Sequence, residues 1–438
     1  MSIISDIKAT KNVRKLEKKG RKNDPRMKTL QRSLETVNPV QRVELAKHVA
    51  SRHATLDKHH TVGSGSHKYK ALQQVQQGPF GFTFKVKQLG TEKLFAMRTE
   101  PATKEEQLTR FKTLKNELIV LRLFKELDKS KRDHFVQLID SGSTEDFNFI
   151  VLTLLGDNLY TITRHHLNRT FTPSTALRVS VQMLRALMDL HALGYVHRFL
   201  KPHTFAVGLN SRVCFIHMCE FPLAWQFRYG KTIKPPRRRV KIMGALRYTS
   251  RNSHHNRELS RRDDLESWLY LSLEFFRLYA LPWRGVQNAA SVLFHKEKLF
   301  NDEYPKVFKK TSSEYRDIMR YIDNLKYDET PDYAFLMQCL QNAKVALRCD
   351  FTLPYDWQVL HAKISTTQST EDSGKPAKPP GPKFYEPTMK TQQNTNENFN
   401  AATNAEAHDV LIDVQMEGTC QNVKEKQKSE DSQEMYSE

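Results

Sequence analysis

The sequence predicts an α+β protein in which a small β-rich lobe precedes a larger helical lobe, with a polar tail at each end. Residues 69–94 follow a β-like pattern, and the run Phe80–Val86 indicates a hairpin. Beyond Gly156 the apolar spacing becomes mainly helical. We therefore expect an N-lobe over residues 70–155 and a C-lobe over residues 156–357, with a hinge at their junction.

The regular elements follow from apolar spacing within the two predicted lobes. A helix is predicted over Glu105–Leu127, because apolar residues recur there at helical spacing: Leu114, Leu118, Leu121 and Phe124. Strands are predicted over Phe135–Ile139 and Phe147–Leu155, which are short apolar runs. In the C-lobe, longer helical patterns cover Ser174–Leu193 and Asp264–Leu278.

Both ends of the chain differ in composition from the lobes. Residues 1–69 are polar and basic, with the densest run at Arg14–Lys22, and residues 358–438 are rich in Gln, Asn, Thr and Glu. We expect both to be mostly disordered, apart from a short helix that begins at Asn38. The basic run is either solvated disorder or a signal for nuclear import or acidic docking. Val410–Val414 is either inert or a strand that adds to a partner's sheet.

Composition also limits the partners and the compartment. The net charge of +20 over 438 residues favours acidic partners, namely phosphorylated proteins, nucleic acid or an anionic membrane face, without choosing among them. The five cysteines lack paired or zinc-like spacing, which indicates a reduced, intracellular protein in the cytoplasm or nucleus. We expect no signal peptide and no membrane span, since the apolar run Ser267–Leu278 is short for a bilayer and contains two charges.

The segment His197–Phe205 has the pattern of a protein kinase catalytic loop, H-R-D-L-K-P-x-N-F, with two functional positions changed. Phe199 stands where the pattern has the aspartate base, and Thr204 stands where it has a metal-binding asparagine. A phenylalanine ring neither accepts a proton nor ligates a cation. Lys201 is retained, but no catalytic set is intact in this loop.

Further segments in the correct order carry a wider resemblance. Gly244–Asn252 resembles the G-T-x-R-Y-A-S-x-N signature of the casein kinase I superfamily. Two shorter matches complete it: Ser260–Ser267 and Leu281–Gly285. Arg257, Glu258 and the run Pro235–Arg237 look closest to the tau-tubulin kinase branch. The resemblance covers about residues 70–357 and implies a bilobal protein kinase fold.

The resemblance also implies a vestigial ATP site, at Gly78, Gly81, Ala96, Arg98, Glu117, Leu155 and Glu220. In its phosphate loop Gln76 replaces the first glycine, and Pro79 removes an amide donor and fixes φ. Arg98 replaces the phosphate-binding lysine, and its planar fork is not equivalent to an ammonium group. We expect Arg98 to form a bidentate pair with Glu117, and Lys85 on the neighbouring strand is an alternative for the missing lysine.

The metal-binding D-F-G motif of the family becomes Glu220-Phe221-Pro222. Glu220 is a weak candidate ligand for Mg²⁺, and Pro222 stiffens a joint that active kinases flex. Ala245 lacks the hydroxyl of the family's threonine, which would have bonded the missing aspartate.

Three other matching positions have structural roles in the family. Phe221 and His197 correspond to residues that stack between the lobes, and Asp264 corresponds to the carboxylate that anchors the backbone of the catalytic loop. Their retention indicates a scaffold that is kept while the chemistry is lost. The histidine pairs lack supporting metal ligands and are expected to be solvated, namely His59-His60, His165-His166 and His254-His255.

Six basic residues fall on the activation segment that the resemblance defines: Lys231, Lys234, Arg237, Arg238, Arg239 and Lys241. Arginine forks suit phosphate oxygens, so this segment is either a docking surface for an acidic or phosphorylated protein or a solvated basic loop.

Loss of the general base alone lowers the rate of a reaction by roughly 10²–10⁴-fold. We therefore expect a catalytically impaired kinase fold that acts by binding, with no cofactor unless residual binding of ATP and Mg²⁺ persists. One alternative is a divergent serine/threonine kinase that uses Glu220 for Mg²⁺ and Lys201 or Lys85 for charge. Another is nucleic-acid binding through the basic N-terminus, which charge alone suggests.

Overall fold

The computed structural model describes residues 56, 60–65, 67–78, 81–102, 113–167 and 170–359, without the side chains of residues 165 and 166. Several predictions concern residues outside this part of the chain and stay predictions: the basic run with its nucleic-acid alternative, the helix at Asn38, Pro79 in the phosphate loop, the first residues of the Glu105–Leu127 helix, and the polar C-terminal tail with Val410–Val414.

Six antiparallel strands form the sheet of the N-lobe: β1 Thr61–Gly63, β2 Lys68–Gly78, β3 Gly81–Gln88, β4 Leu94–Pro101, β5 Leu138–Ser143 and β6 Phe147–Thr153. They pair in the order β1-β2-β3-β4-β6-β5. Strands β2 and β3 confirm the predicted hairpin. On β3, Phe82, Phe84 and Val86 are buried in the N-lobe core, so Lys85 lies on the opposite face of the sheet.

The sheet begins upstream of residue 70, where the sequence analysis places the start of the domain. Val62 of β1 pairs with Tyr69 of β2, and both side chains are buried. The Tyr69 hydroxyl donates to Asp140 of β5 at 2.9 Å, and Ser64 donates to the same carboxylate. Residues that the composition assigns to the polar extension therefore form part of the N-lobe core.

The strand predicted at Phe135–Ile139 is displaced along the chain. The regular strand starts at Leu138, because the Phe135 ring stacks on Phe124 instead, with ring centroids 3.9 Å apart. The start of this apolar run therefore reflects a ring that is buried between the lobes, and not a residue of a β-strand. The other predicted strand is confirmed, although it ends at Thr153.

The helix of the N-lobe, α1, spans Thr113–Leu123 and continues into a 3₁₀ turn at Phe124–Glu126. The Glu100 carboxylate of β4 accepts hydrogen bonds from the backbone amides of Thr113, at 3.0 Å, and Leu114, at 3.3 Å. These bonds tie the helix to the sheet and thereby fix the position of Glu117, one turn later.

A short helix, α2 Lys129–Arg132, follows in the N-lobe before β5. Helices build the C-lobe: α3 Leu159–Thr161, α4 Pro173–Ala192, α5 Arg251–His254, α6 Arg261–Phe276, α7 Ala289–Phe300, α8 Glu314–Asn324 and α9 Tyr333–Ala346. A π-helical turn at Ile162–His166 extends α3. Helix α4 starts with Thr172 as the capping residue and Pro173 in the first turn. Fifteen of the residues of α6 are buried, which confirms a core helix in the run predicted there.

Short elements shape the junction of the lobes and the segment that follows it. The strands are β7 Tyr195–Val196, β8 Phe205–Val207, β9 Ile216–Met218, β10 Trp225–Gln226, β11 Arg228–Tyr229 and β12 Thr232–Ile233. The 3₁₀ turns are Pro202–Thr204, Asn210–Arg212 and Pro305–Phe308. Among the described residues, no helix is long and apolar enough to cross a bilayer.

The expectation of solvated histidine pairs is wrong for His254 in α5. This residue is buried, and its Nε2 lies 3.2 Å from Lys296 Nζ, whereas His255 is exposed.

Candidate active site

Asp264, near the start of α6, anchors the backbone of the catalytic loop. Its carboxylate accepts hydrogen bonds from the amides of His197, at 2.6 Å, and Arg198, at 2.8 Å, and lies 3.0 Å from the His191 ring. Burial opposes the charged form, but the contact with His191 and the loop amides holds the pKa of Asp264 below its ordinary value. The predicted anchoring role is confirmed.

Phe199 fills apolar space where the pattern of the loop has a base. Its ring is 0% exposed and packs in a separate apolar cluster with Leu223, Val240, Met243 and Leu259. Arg198, just before it, has a positive φ of 64°, a conformation that costs free energy for a residue with a Cβ. The loop therefore presents a packed ring to the activation segment, and no carboxylate.

Thr204 uses its hydroxyl inside the loop. The hydroxyl donates to the carbonyl oxygen of Lys201 at 2.7 Å and accepts from the amide of Lys201 at 3.2 Å. The side chain is 0% exposed. Thr204 thus closes a 3₁₀ turn, which is a structural task that leaves it poorly placed to ligate a metal ion.

Arg98 of β4 and Glu117 of α1 form the predicted ion pair. Arg98 Nη1 donates to Glu117 Oε1, while Nη2 turns to the carbonyl oxygen of Cys219 at 3.3 Å. The predicted bidentate geometry is therefore wrong, because the second guanidinium nitrogen bonds the backbone ahead of Glu220. Burial opposes the charge of Arg98, but Glu117 and Glu220 raise the pKa of the guanidinium above its ordinary value.

Glu220 is enclosed by side chains of the protein itself. Gln76 Nε2 of β2 donates to Oε1 at 3.2 Å, and Lys201 Nζ lies 3.7 Å from Oε2. Burial would raise the pKa of Glu220, but Lys201 and Arg98 hold it below its ordinary value. Glu220 is therefore charged and already compensated.

These donors do not fit Mg²⁺. The ion prefers octahedral oxygen ligands, commonly carboxylates with phosphates and water. Of the three positions considered, Glu220 alone offers a carboxylate, while Phe199 is apolar and Thr204 is satisfied within the loop. No group of three or more His, Cys, Asp or Glu side chains in the described part of the chain could hold a metal ion.

The remaining positions of the vestigial ATP site lie around the cleft. Gly78 and Gly81 end the paired part of the β2–β3 hairpin, and Gly81 has φ of 131°. A Cβ on Gly81 would lie 2.0 Å from the Thr99 carbonyl oxygen, so only glycine fits there. Ala96 and Leu155 are half-buried against the main core. Lys85 faces Ala96 across the β3–β4 pair, on the same side of the sheet as Arg98.

Phe221 joins the two lobes. Its ring lies 5.1 Å from Phe124 after α1, 6.2 Å from Phe135, and 5.5 Å from His197, measured between ring centroids. The Phe221 amide also donates to Glu117 at 3.3 Å. The predicted interlobe stacking of Phe221 and His197 is confirmed.

The basic segment, defined here as residues 231–241, divides into two groups. Arg237 pairs with the buried carboxylate of Glu258, and Lys234 lies over the rings of Tyr229, at 3.9 Å, and Trp225, at 5.0 Å. Lys241 is half-buried. The exposed cations of the segment are Lys231, Arg237, Arg238 and Arg239, and of these Arg237 also makes the ion pair with Glu258. Structure thus separates cations that hold the segment from cations that only face solvent.

Sequence reasoning missed two contacts. It treated Gln76 only as a lost glycine, whereas an amide at that position of a cleft-lining strand is a candidate donor to Glu220. It used Glu258 only as part of a family signature, and Glu258 contacts both Arg198 and Arg237. The available signal for the second contact was that Glu258 is an acidic residue in a stretch of the sequence rich in cations.

Comparison with known proteins agrees with this architecture. A model of the protein kinase domain matches residues 69–329. A Dictyostelium discoideum protein named as a probable serine/threonine-protein kinase is 31% identical over 294 residues, covering 67% of this chain and 57% of the relative. The chain thus spans little more than half the length of that relative. The Caenorhabditis elegans serine/threonine-protein kinase spe-6 is 28% identical over 305 residues, covering 67% of this chain and 76% of the relative. This chain belongs to the protein kinase domain family.

Proposed function

We propose that this domain is a catalytically impaired member of the casein kinase I superfamily, closest to the tau-tubulin kinase branch, which acts by binding acidic or phosphorylated proteins. The observation that carries the proposal is the burial of Phe199 among apolar side chains, in the position of the base. A base must lie within hydrogen-bonding reach of the hydroxyl it activates. A buried ring cannot serve. Its cluster is apolar, and the charged group beside it, Lys201 Nζ at 4.5 Å from the ring centroid, is an ammonium group and not a base.

The electrostatics of the cleft support the same proposal. The cleft contains two ion pairs, Arg98 with Glu117 and Lys201 with Glu220. Within each pair the positive and negative charges compensate each other. The first pair is also required in active kinases, whereas the cation of the second pair, Lys201, is held here by a carboxylate of the protein instead of being available for phosphate charge. Binding of a nucleotide would have to break contacts that are already made, which lowers its net affinity.

The exposed part of the basic segment is the proposed docking surface. Lys231, Arg238 and Arg239 are exposed, and the guanidinium groups of the two arginines can take phosphate or carboxylate oxygens. Arg237 of the same segment is linked through Glu258 to Arg198 of the catalytic loop. The net charge of +20 favours the same partners. We place the protein in the cytoplasm or nucleus, where such partners occur.

A second candidate function is divergent serine/threonine kinase activity. The Arg98–Glu117 pair and the interlobe position of Phe221 favour it, because active kinases need the strand–helix ion pair in place. Both relatives named above carry kinase names. Lys85, on the face of the sheet that carries Arg98, could supply the missing lysine charge.

A phosphate-transfer assay separates the two candidates. Radiolabelled ATP is offered with acidic and with prephosphorylated substrate proteins, and Arg98→Ala serves as the background control. The binding proposal predicts incorporation equal to that of the control. The divergent kinase would instead be established if wild type incorporates more phosphate than the control and if Lys85→Ala abolishes this excess incorporation.

A binding experiment tests the docking surface. The double variant Arg238→Ala/Arg239→Ala should weaken binding of an acidic phosphopeptide roughly tenfold, measured by fluorescence anisotropy at fixed salt. The matched control is Lys309→Ala/Lys310→Ala, which removes two adjacent exposed cations elsewhere on the C-lobe. Equal effects of the two double variants would show that only net charge matters and would reject the surface.

A further inference from the structure

A carboxylate lies buried between two guanidinium groups on the side of the catalytic loop that faces the basic segment. The Glu258 side chain is 2% exposed. It accepts from Nε and Nη2 of Arg237, the latter at 2.9 Å, and its Oε1 lies 3.8 Å from Nη1 of Arg198. Both arginines also lie over the Trp225 ring, at 5.2 Å for Arg198 and 4.4 Å for Arg237.

Glu258 therefore connects the catalytic loop to the basic segment. Arg198 belongs to the loop, and its Nε donates to the Leu223 carbonyl oxygen at 2.8 Å. Its buried Nη1 has no hydrogen-bond partner among the described residues, so its charge is compensated through space by Glu258. Arg237 belongs to the basic segment. Without Glu258, the two cations would repel each other beside a buried site.

Other contacts hold the same stretch on both sides of Arg237. The Lys234 amide donates to the Phe227 carbonyl oxygen at 2.8 Å, and the Tyr327 hydroxyl donates to the Lys234 carbonyl oxygen at 3.1 Å. The Val240 amide donates to the backbone of Asn256 at 2.8 Å. The Glu258 pair thus adds a carboxylate–guanidinium contact to backbone hydrogen bonds and to the contact of the Lys234 ammonium group with the Tyr229 and Trp225 rings.

Kinase activation segments that need modification are ordered when a new phosphate pairs with arginines. Here a glutamate from the polypeptide itself supplies the anion. We propose that Glu258 takes the place of an activation-segment phosphate, so that the basic segment holds its conformation without modification. This inference goes beyond the proposed function and holds whether or not the domain transfers phosphate.

Anion rescue of Glu258→Ala tests the proposal. The variant should lose roughly 5–10 °C of melting temperature, because it leaves two cations uncompensated. Inorganic phosphate, titrated at constant ionic strength with chloride, should restore part of that loss by entering the vacated space. Wild type should respond less than the variant, since Glu258 already fills this site and only exposed cations remain for phosphate. Trypsin cleavage within residues 231–241 should accelerate in the variant and slow again with phosphate.

Controls make the rescue specific. Leu269→Ala removes a fully buried apolar side chain of α6 and provides a destabilised protein without a new anion site. The double variant Glu258→Ala/Arg237→Ala should lose the rescue, because phosphate then lacks its exposed partner. If Glu258→Ala does not fold, Glu258→Gln keeps the shape and loses the charge. A wild-type melting temperature in either variant, or a phosphate response no larger than that of Leu269→Ala, would overturn the proposal.

Discussion

Polar side chains fill the nucleotide-facing side of the catalytic loop, where Lys201 and Gln76 contact Glu220 across the cleft. On the side that faces the activation segment, the Phe199 ring packs among apolar residues instead. Both sides depend on one support, since Asp264 holds the loop backbone between them. The two sides have thus lost catalytic groups in physically different ways.

The difference bears on which changes can be reversed. On the polar side, charge is kept and redistributed, so a single substitution changes contacts without opening the core. On the apolar side, Phe199 has become part of a packed cluster, with Lys201 Nζ 4.5 Å from its ring centroid, so a polar replacement opens a cavity and is buried against mainly apolar side chains. We therefore expect large stability effects at Phe199 and Asp264 and small ones at Gln76.

The largest effect is expected for Phe199→Asp, which restores the residue of the kinase pattern. It removes a buried ring and places a carboxyl group in an apolar cluster, so unfolding free energy should fall by roughly 4 kcal/mol or more, without gain of phosphate transfer. Urea unfolding measures the loss. Phe199→Leu is the control and should cost about 1 kcal/mol. A stable Phe199→Asp protein that transfers phosphate would refute the view that the ring is structural.

The next effect concerns the support shared by both sides. Asp264→Asn keeps the size of the side chain but weakens charge-assisted hydrogen bonds to the loop amides, so unfolding free energy should fall by about 2–3 kcal/mol. The exposed carboxylate Glu303, paired with Lys298, gives the control Glu303→Gln with a change below about 1 kcal/mol. Equal losses in the two variants would mean that the loop does not depend on Asp264.

A smaller, pH-dependent effect is expected at His203 on the polar side. Burial, with Lys201 nearby, lowers the pKa of His203 from 6.5 to about 3, and its ring stacks on Tyr160 at 4.1 Å. Below pH 6.5 the His203 ring therefore binds a proton in the unfolded chain but not in the folded chain, so the unfolding free energy falls as the pH decreases. Between pH 7.5 and pH 5.5 this loss is about 1.4 kcal/mol.

His203→Gln should remove that share of the acid sensitivity, as followed by urea unfolding across the same pH range. His60→Gln, at an exposed ring, is the matched control and should follow the wild-type curve. A wild-type slope in His203→Gln would show that the histidine titrates normally in the folded protein.

The smallest effect on stability is expected at Gln76. Gln76→Ala removes one half-buried hydrogen bond to Glu220, which is worth about 0.5–1.5 kcal/mol. The exposed neighbour Gln77 provides the control Gln77→Ala, which should be neutral. If Gln76→Ala lowered the unfolding free energy as much as Asp264→Asn does, the hydrogen bond from Gln76 to Glu220 would be needed for the stability of the fold and would not only occupy the cleft.

Much of the scaffold was predictable, because its signals are local patterns and ordered motifs. Helical spacing located α4 and α6, and the loop motif located the anchoring Asp264. The position of Phe135 was not predictable, because an apolar run does not say whether it pairs as a strand or packs as a ring. The start of the sheet was missed because Val62 lies in polar, basic sequence.

The contacts of the site were harder to predict than its residues. The motifs predicted that Arg98 and Glu117 are partners. They could not show that the second guanidinium nitrogen of Arg98 donates to the carbonyl oxygen of Cys219. They likewise could not show that Gln76 and Glu220, far apart in the chain, meet across the cleft. Such contacts depend on the relative placement of strands and loops, which no local pattern encodes.

Calorimetric titration of Mg·ATP into the 438-residue chain tests the central claim most directly. If the cleft is filled by its own ion pairs and offers no Mg²⁺ site, no saturable heat should appear and the melting temperature should stay constant. Saturable binding, with a rise in melting temperature that grows with nucleotide concentration, would contradict the account. Arg98→Ala would then show whether the vestigial site is the one that binds.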